Sequence, residues 1–175
     1  SRFAEALLPL FHPNKDKAIE IAQETINNFR EIYKNHWLRM MRKKLGLFGE
    51  ENKDESLVSS LLSWMHKNKA DYTNTFYLLS KQDAHKDKLF QDSTFNNWHH
   101  QWQTRLMQNN KSKELSLELM STTNPLIIPR NHKVEEALEA ASIKGDMVPM
   151  RNLLEVLKKP YDDRQGITAY QTPSE

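Results

Sequence analysis

An all-α fold follows from three features of the sequence. Apolar residues recur at spacings of three and four along most of the 175 residues. The four glycines, at 46, 49, 145 and 166, fall where those periodic segments break. No stretch alternates apolar and polar residues long enough to make a strand. The expected architecture is an irregular multi-helix array with one long spine helix and a C-terminal helical hairpin.

The clearest helix runs from about Asp16 to Leu45. Its apolar positions, Ala18, Ile19, Ala22, Ile26, Phe29, Ile32, Tyr33, Trp37, Met40 and Met41, are spaced by threes and fours. Arg39, Arg42, Lys43 and Lys44 crowd its end, where positive charge suits the helix dipole, and Gly46 stops it. The next helix has Asn52 or Asp54 as N-cap and the stripe Leu57, Val58, Leu61, Leu62, Trp64 and Met65. A shorter one starts at Asp71 and places Tyr72, Phe76 and Leu79 on one face. Residues Ser80–Asp92 read as a polar loop with a helical turn.

Phe95, Trp98, Trp102 and Leu106 form a further stripe, and Leu115, Leu119 and Met120 a short helix ending before Asn124-Pro125. Pro125-Leu126-Ile127-Ile128-Pro129 must be extended, because residues before proline avoid helical angles. In the closing hairpin Asn131 caps a helix with Val134, Ala137, Leu138 and Ala141, and Gly145 ends it. Asp146 then caps one with Met150, Leu153, Leu154 and Leu157, and Pro160 closes it. Two parts are expected: a helical domain over 1–160 that belongs to a larger protein, and an irregular tail over 161–175. Trp37, Trp64, Trp98 and Trp102 are each expected to be buried in one helical core.

Composition narrows the function classes. Hydrophobic residues make up 38% and charged residues 27%, with mean hydropathy −0.79, which suits thin helical layers with solvated faces. With no cysteine, disulfides, thiolate chemistry and cysteine-ligated zinc are excluded. The 25 basic and 23 acidic residues are mixed along the chain, without the basic stripe of a nucleic-acid binder. No apolar run can span a bilayer and no signal peptide is recognisable, so the expected setting is cytoplasmic, with no membrane partner. Because residue 1 is Ser1 and not methionine, the chain is expected to start inside a longer protein.

Candidate sites are few. Histidines stand at 12, 36, 66, 85, 99, 100 and 132, without an HExxH motif, and that spacing favours surface or capping roles over metal ligation. Trp98 and Trp102, with Phe95, suit a ligand platform less well than a core. Arg39, Arg42, Lys43 and Lys44 suit a solvated helix end better than a phosphate site, since no glycine-rich phosphate loop accompanies them. No nucleophile elbow or other catalytic constellation is present. The expected catalytic, cofactor-binding and metal residues are therefore none.

Several segments together resemble the carboxy-terminal third of the selenoprotein O family, called YdiU in bacteria. In order they are Met41-Arg42-Lys43-Lys44-Leu45-Gly46-Leu47, then Asp71-Tyr72-Thr73 with Phe76 and Leu79, then Trp98 and Trp102 leading to Arg105-Leu106. Asn124-Pro125 and Arg130-Asn131 follow, with Glu135-Glu136-Ala137, Ala140-Ala141, Gly145-Asp146, and Leu153-Leu154 through Pro160-Tyr161. The resemblance implies a parent protein adenylyltransferase with a kinase-like (pseudokinase) fold that uses ATP and magnesium to transfer AMP to protein hydroxyl groups. The residues for that chemistry lie upstream of the matched region in the family, so the present chain is expected to be inactive alone and to hold no cofactor itself. Its expected partners are the missing N-terminal kinase-like domain and, through the whole enzyme, protein substrates. Many members carry a selenocysteine or cysteine near the carboxy terminus, and the segment Ile167–Glu175 has neither.

The role expected for this region is to buttress the kinase-like part, with Asn124, Ile127, Arg130 and Asn131 as interdomain docking residues. A free-standing helical protein-interaction module is the alternative. An exposed apolar patch is expected around Phe3, Leu7, Leu8, Leu10 and Phe11, together with Leu126, Ile127 and Ile128. On that expectation Ile127→Asp would weaken docking and leave helicity intact.

Overall fold

A computed structural model describes residues 2–81 and 88–174. Among them the chain is helical with no strand: α1 Arg2–Phe11, α2 Lys15–Lys44, α3 Asp54–Asn68, α4 Tyr72–Lys81, a 3-10 turn Lys88–Gln91, α5 Ser93–Met107, α6 Lys113–Thr123, α7 Asn131–Lys144, α8 Val148–Leu157 and α9 Thr168–Gln171. The long helix and the C-terminal hairpin are thus where the periodicity puts them. His85 and the 82–87 part of the expected loop lie outside the described residues.

The chain divides into two compact units, 1–40 and 41–175, in place of the single core expected. In the first unit, Asn14 sets the start of α2. Its side-chain oxygen accepts from the amides of Asp16 (2.9 Å) and Lys17 (3.1 Å), satisfying donors that the first helical turn leaves open. The described apolar side chains buried here are Ala18 and Ala22. Ile26, Phe29, Ile32, Tyr33 and Met40 are exposed and Trp37 is half-buried, so the stripe between residues 26 and 40 does not enter a core as expected.

The second unit has a dense core. Helix α3 packs against α5, α4 against α6, and α7 against α8. Trp64, Phe90, Phe95, Trp98 and Trp102 form a continuous aromatic chain, with Trp64 and Phe95 centroids 4.8 Å apart and Trp98 stacked on Trp102 at 5.8 Å. Each indole N–H has an acceptor: Trp64 donates to Asp92 (2.7 Å), Trp98 to the Leu57 carbonyl (2.9 Å) and Trp102 to the Leu45 carbonyl (2.9 Å). Those two carbonyl contacts tie α5 to α3 and to the end of α2. The stripe of α5 is therefore core, as its spacing suggests.

The N-caps of α3, α7 and α8 differ from expectation. The N-cap of α3 is Lys53 rather than Asn52 or Asp54, and Asp54 is the first helical residue, fully buried. Helix α3 ends at Lys69 in the left-handed conformation, φ 53°, where no glycine signals a stop. Arg130 rather than Asn131 is the N-cap of α7, and its side chain makes no capping bond. Asp146 does serve the start of α8, accepting from the Val148 amide at 2.9 Å, although Met147 holds the cap position.

Gly46 follows α2 with φ 69°. A Cβ there would lie 2.9 Å from the Ser116 carbonyl oxygen and 3.0 Å from the Met120 side chain. Only a residue without a side chain lets α6 come this close to a left-handed turn.

Candidate functional site

A buried charge network in 41–175 centres on Asp54. Its carboxylate has no solvent exposure and accepts from Arg105 Nε (2.7 Å), Arg42 Nε (2.7 Å) and the Glu51 amide (3.0 Å). Burial alone would raise its pKa. The hydrogen bonds from Arg105, the Glu51 amide and Arg42 outweigh that and hold it below the usual carboxylate range. Arg42 also meets Glu50 at 3.0 Å. Arg105 reaches the Phe48 carbonyl (3.2 Å) and Asn109 Oδ1 (3.1 Å). Asn109 in turn donates to the Gly46 carbonyl and to Ser116 Oγ, both at 2.9 Å. One network thus joins the end of α2, the loop before α3, and helices α3, α5 and α6.

Sequence reasoning missed this network, though a signal was present. Asp54 lies three and four residues before Leu57 and Val58, and Arg105 three after Trp102. Each charge therefore sits in register with the apolar face of its own helix, where an unpaired charge would be prohibitive. The pattern of basic residues at the end of α2 predicts a solvated Arg42. That reading is corrected by its burial, and Lys44 departs from it too: its ammonium lies 4.9 Å from the Phe76 ring centroid and 5.3 Å from that of Tyr72. Burial lowers the Lys44 pKa.

The four docking candidates fall in different environments. Asn124 is buried and pins the end of α2, donating to the Lys44 carbonyl (2.8 Å) and accepting from Lys44 Nζ (3.1 Å). Arg130 is buried and makes a bidentate pair with Asp71, at 2.9 and 3.0 Å. Its Nε is buried without a partner. Burial would raise the Asp71 carboxyl, but hydrogen bonds from Arg130 and the Asn74 amide hold it below the usual range. Ile127 is packed with Leu126 and Ile167, against Tyr77, Val156, Leu157 and Tyr170. Asn131 is exposed.

The expected surface patch at Leu126, Ile127 and Ile128 is accordingly corrected. Leu126 and Ile127 are each 1% exposed, and Ile128 is half-buried. Their amide groups find partners close by: those of Leu126 and Ile127 donate to the Pro160 carbonyl at 2.8 and 3.1 Å. The segment after Tyr161, which carries no periodic pattern, supplies Ile167 to this cluster, and Thr168–Gln171 form one helical turn. The other half of the expected patch is exposed, with Phe3 at 78% and Leu10 at 80%, while Leu7 and Leu8 are half-buried.

Among the histidines, His12 Nδ1 accepts from the Asn14 amide (2.9 Å), His36 pairs with Arg39 (3.0 Å), and His99 packs on Phe95 and Trp102. Among the described residues no three His, Cys, Asp or Glu side chains converge as metal ligands, and Asp54 and Asp71 are both engaged by arginine. With their oxygens held by arginine, Asp54 and Asp71 do not fit the role of magnesium ligands. No described helix is long and apolar enough to cross a membrane.

Comparison with known proteins gives a family match. The model of the family described as protein adenylyltransferase SelO matches residues 2–158. A protein nucleotidyltransferase YdiU of Nitrosococcus oceani is 46% identical over 173 residues, which is 99% of this chain and 35% of the relative. That of Alkaliphilus metalliredigens is 50% identical over 161 residues, 92% of this chain and 33% of the relative. A Clostridium perfringens relative is 48% identical over 170 residues, covering 97% and 34%. The chain spans about a third of the length of these relatives.

Proposed function

Because the chain belongs to the SelO family of protein adenylyltransferases, we infer that residues 1–175 are the non-catalytic helical carboxy-terminal part of such an enzyme. In this reading they buttress a kinase-like part that binds ATP and magnesium and transfers AMP to protein hydroxyl groups. The observation that carries it is the state of the buried charges. Asp54, Arg42, Arg105, Asp71 and Arg130 are paired with one another across helices. Groups so paired hold a frame together and are not free to bind a nucleotide or move a proton.

The test is incubation of purified 1–175 with labelled ATP, magnesium and a general protein acceptor. No transfer of AMP above background is expected. Metal-dependent labelling, abolished by substituting a residue of this chain, would overturn the reading. The second reading, a free-standing helical interaction module, draws on the exposure of Leu138, Ile143, Val148 and Leu154 in the α7–α8 hairpin. A reading frame continuing upstream of Ser1 into kinase-type lysine, glutamate and metal-binding acid motifs favours the first. A start codon near Ser1 favours the second.

A further inference from the structure

Residues 2–40 hold two helices but almost no core. Their buried apolar side chains are two alanines, Ala18 and Ala22. Isolated segments of about 40 residues rarely stay folded without an added constraint, and helices draw most of their stability from packing of an apolar face. Such a face exists on α2. Ile26, Phe29, Tyr33, Trp37 and Met40 follow one another at spacings of three and four, so they lie along one side of the helix. Phe29 is 64% exposed and Tyr33 60%, and their rings stack with centroids 6.0 Å apart. Aromatic and methionine side chains clustered at a surface are the composition of an interface centre.

We propose that this face of α2 is the docking surface for the portion of the family chain that lies outside the matched third. The inference rests on the reading of 1–175 as part of a longer enzyme, and it names the surface through which that part is held. Two observations select this occupant. The stripe lies within residues 2–158, the stretch that matches the family model, so the match to the family extends over it. The relatives carry about two thirds of their length outside the match, so each has further chain of its own that is available to cover this face. Leu126 and Ile127, buried within 41–175, are not part of this surface.

The chain has no cysteine, so single cysteines report on one position each. Phe29→Cys, Tyr33→Cys and, as an exposed control on α3, Ser59→Cys are made in 1–175 and in a full-length chimera. The chimera is the Alkaliphilus metalliredigens relative with its matched third replaced by residues 1–175. Maleimide labelling is followed peptide by peptide by mass spectrometry. In 1–175 alone all three positions should label at similar rates. In the chimera Phe29→Cys and Tyr33→Cys should slow by about tenfold or more, with Ser59→Cys unchanged.

Equal rates in the chimera overturn the proposal. So does slowing in 1–175 alone that grows with protein concentration. That outcome would identify a second copy, whose antiparallel helix could set Asp16, Glu20 and Glu24 against Arg30, Lys34 and Arg39. AMP transfer by the unsubstituted chimera is measured in parallel. Transfer with unprotected cysteines sinks the interface and leaves the buttress reading standing, whereas protection without transfer does the reverse. Amide exchange in the intact relative, over the segment aligned with 26–40, gives a readout that needs no replacement. Slow exchange is expected, and exchange as fast as in 1–175 alone overturns the proposal.

Discussion

Asp54→Asn removes a negative charge from between two buried guanidinium groups while keeping the side-chain volume. Arg105 is 6% exposed and loses its 2.7 Å ionic partner, keeping only neutral acceptors: Phe48 O, Asn109 Oδ1 and at most the one amide oxygen left at position 54. Arg42 keeps Glu50, whose carboxylate is largely exposed and so a weak counter-charge. Breaking a buried pair by removing one partner costs about 3–5 kcal/mol, because the remaining charge stays desolvated. For a chain of this size that is on the order of 10 °C in Tm. Urea unfolding followed by fluorescence of Trp64, Trp98 and Trp102 reads it directly, since all three lie in the affected core. A loss below about 1 kcal/mol would refute the reasoning, because it would mean that water reaches the two guanidinium groups.

The same carboxylate sets a pH dependence. Asp54 and Asp71 have folded pKa values below the usual range, so the unfolded chain takes up protons first as pH falls. Their stabilisation is present above the unfolded carboxylate pKa of about 3.9, and is lost as pH drops through the folded values. The Asp54→Asn protein should show a shallower fall in stability across that acid range.

Gly46→Ala should cost about 2 kcal/mol or more, since it adds both a positive-φ penalty and a 2.9 Å contact with the Ser116 carbonyl; thermal unfolding checks it, and a neutral result would mean that α6 can shift. Ile127→Ala and Ile167→Ala should each cost about 2–4 kcal/mol by denaturation, and Ile127→Asp more. That reverses the expectation of a harmless surface substitution at Ile127. Arg130→Lys should lose about 1–2 kcal/mol, because an ammonium cannot reproduce the two parallel bonds to Asp71; an unchanged midpoint would show that the pair contributes nothing.

Secondary structure was largely legible because helix periodicity is a local property. Three or four residues of spacing place Phe95, Trp98 and Trp102 on one face whatever lies opposite. The same rule put Ile26, Phe29 and Tyr33 on a stripe, and that stripe is real. Periodicity reports which face is apolar and is silent on what covers it, so the stripe was read as core when it is surface. Caps were less legible. A lysine at 69 takes the left-handed turn, and a buried aspartate stands where a capping one was expected, because tertiary contacts outweigh a preference of about 1 kcal/mol.

Determined by the sequence alone were the all-helical class, the long helix ending at Gly46, the hairpin broken at Gly145, and a family resemblance later matched over residues 2–158. Tertiary structure alone decided the rest. Asp54 and Arg105 are 51 residues apart, and Ile127 meets Ile167 from a segment without any pattern. Local register marks Asp54 and Arg105 as charges on apolar faces, and nothing local says which of the chain's charges each will meet. That is decided when distant helices exclude solvent around them, and desolvation then makes pairing obligatory.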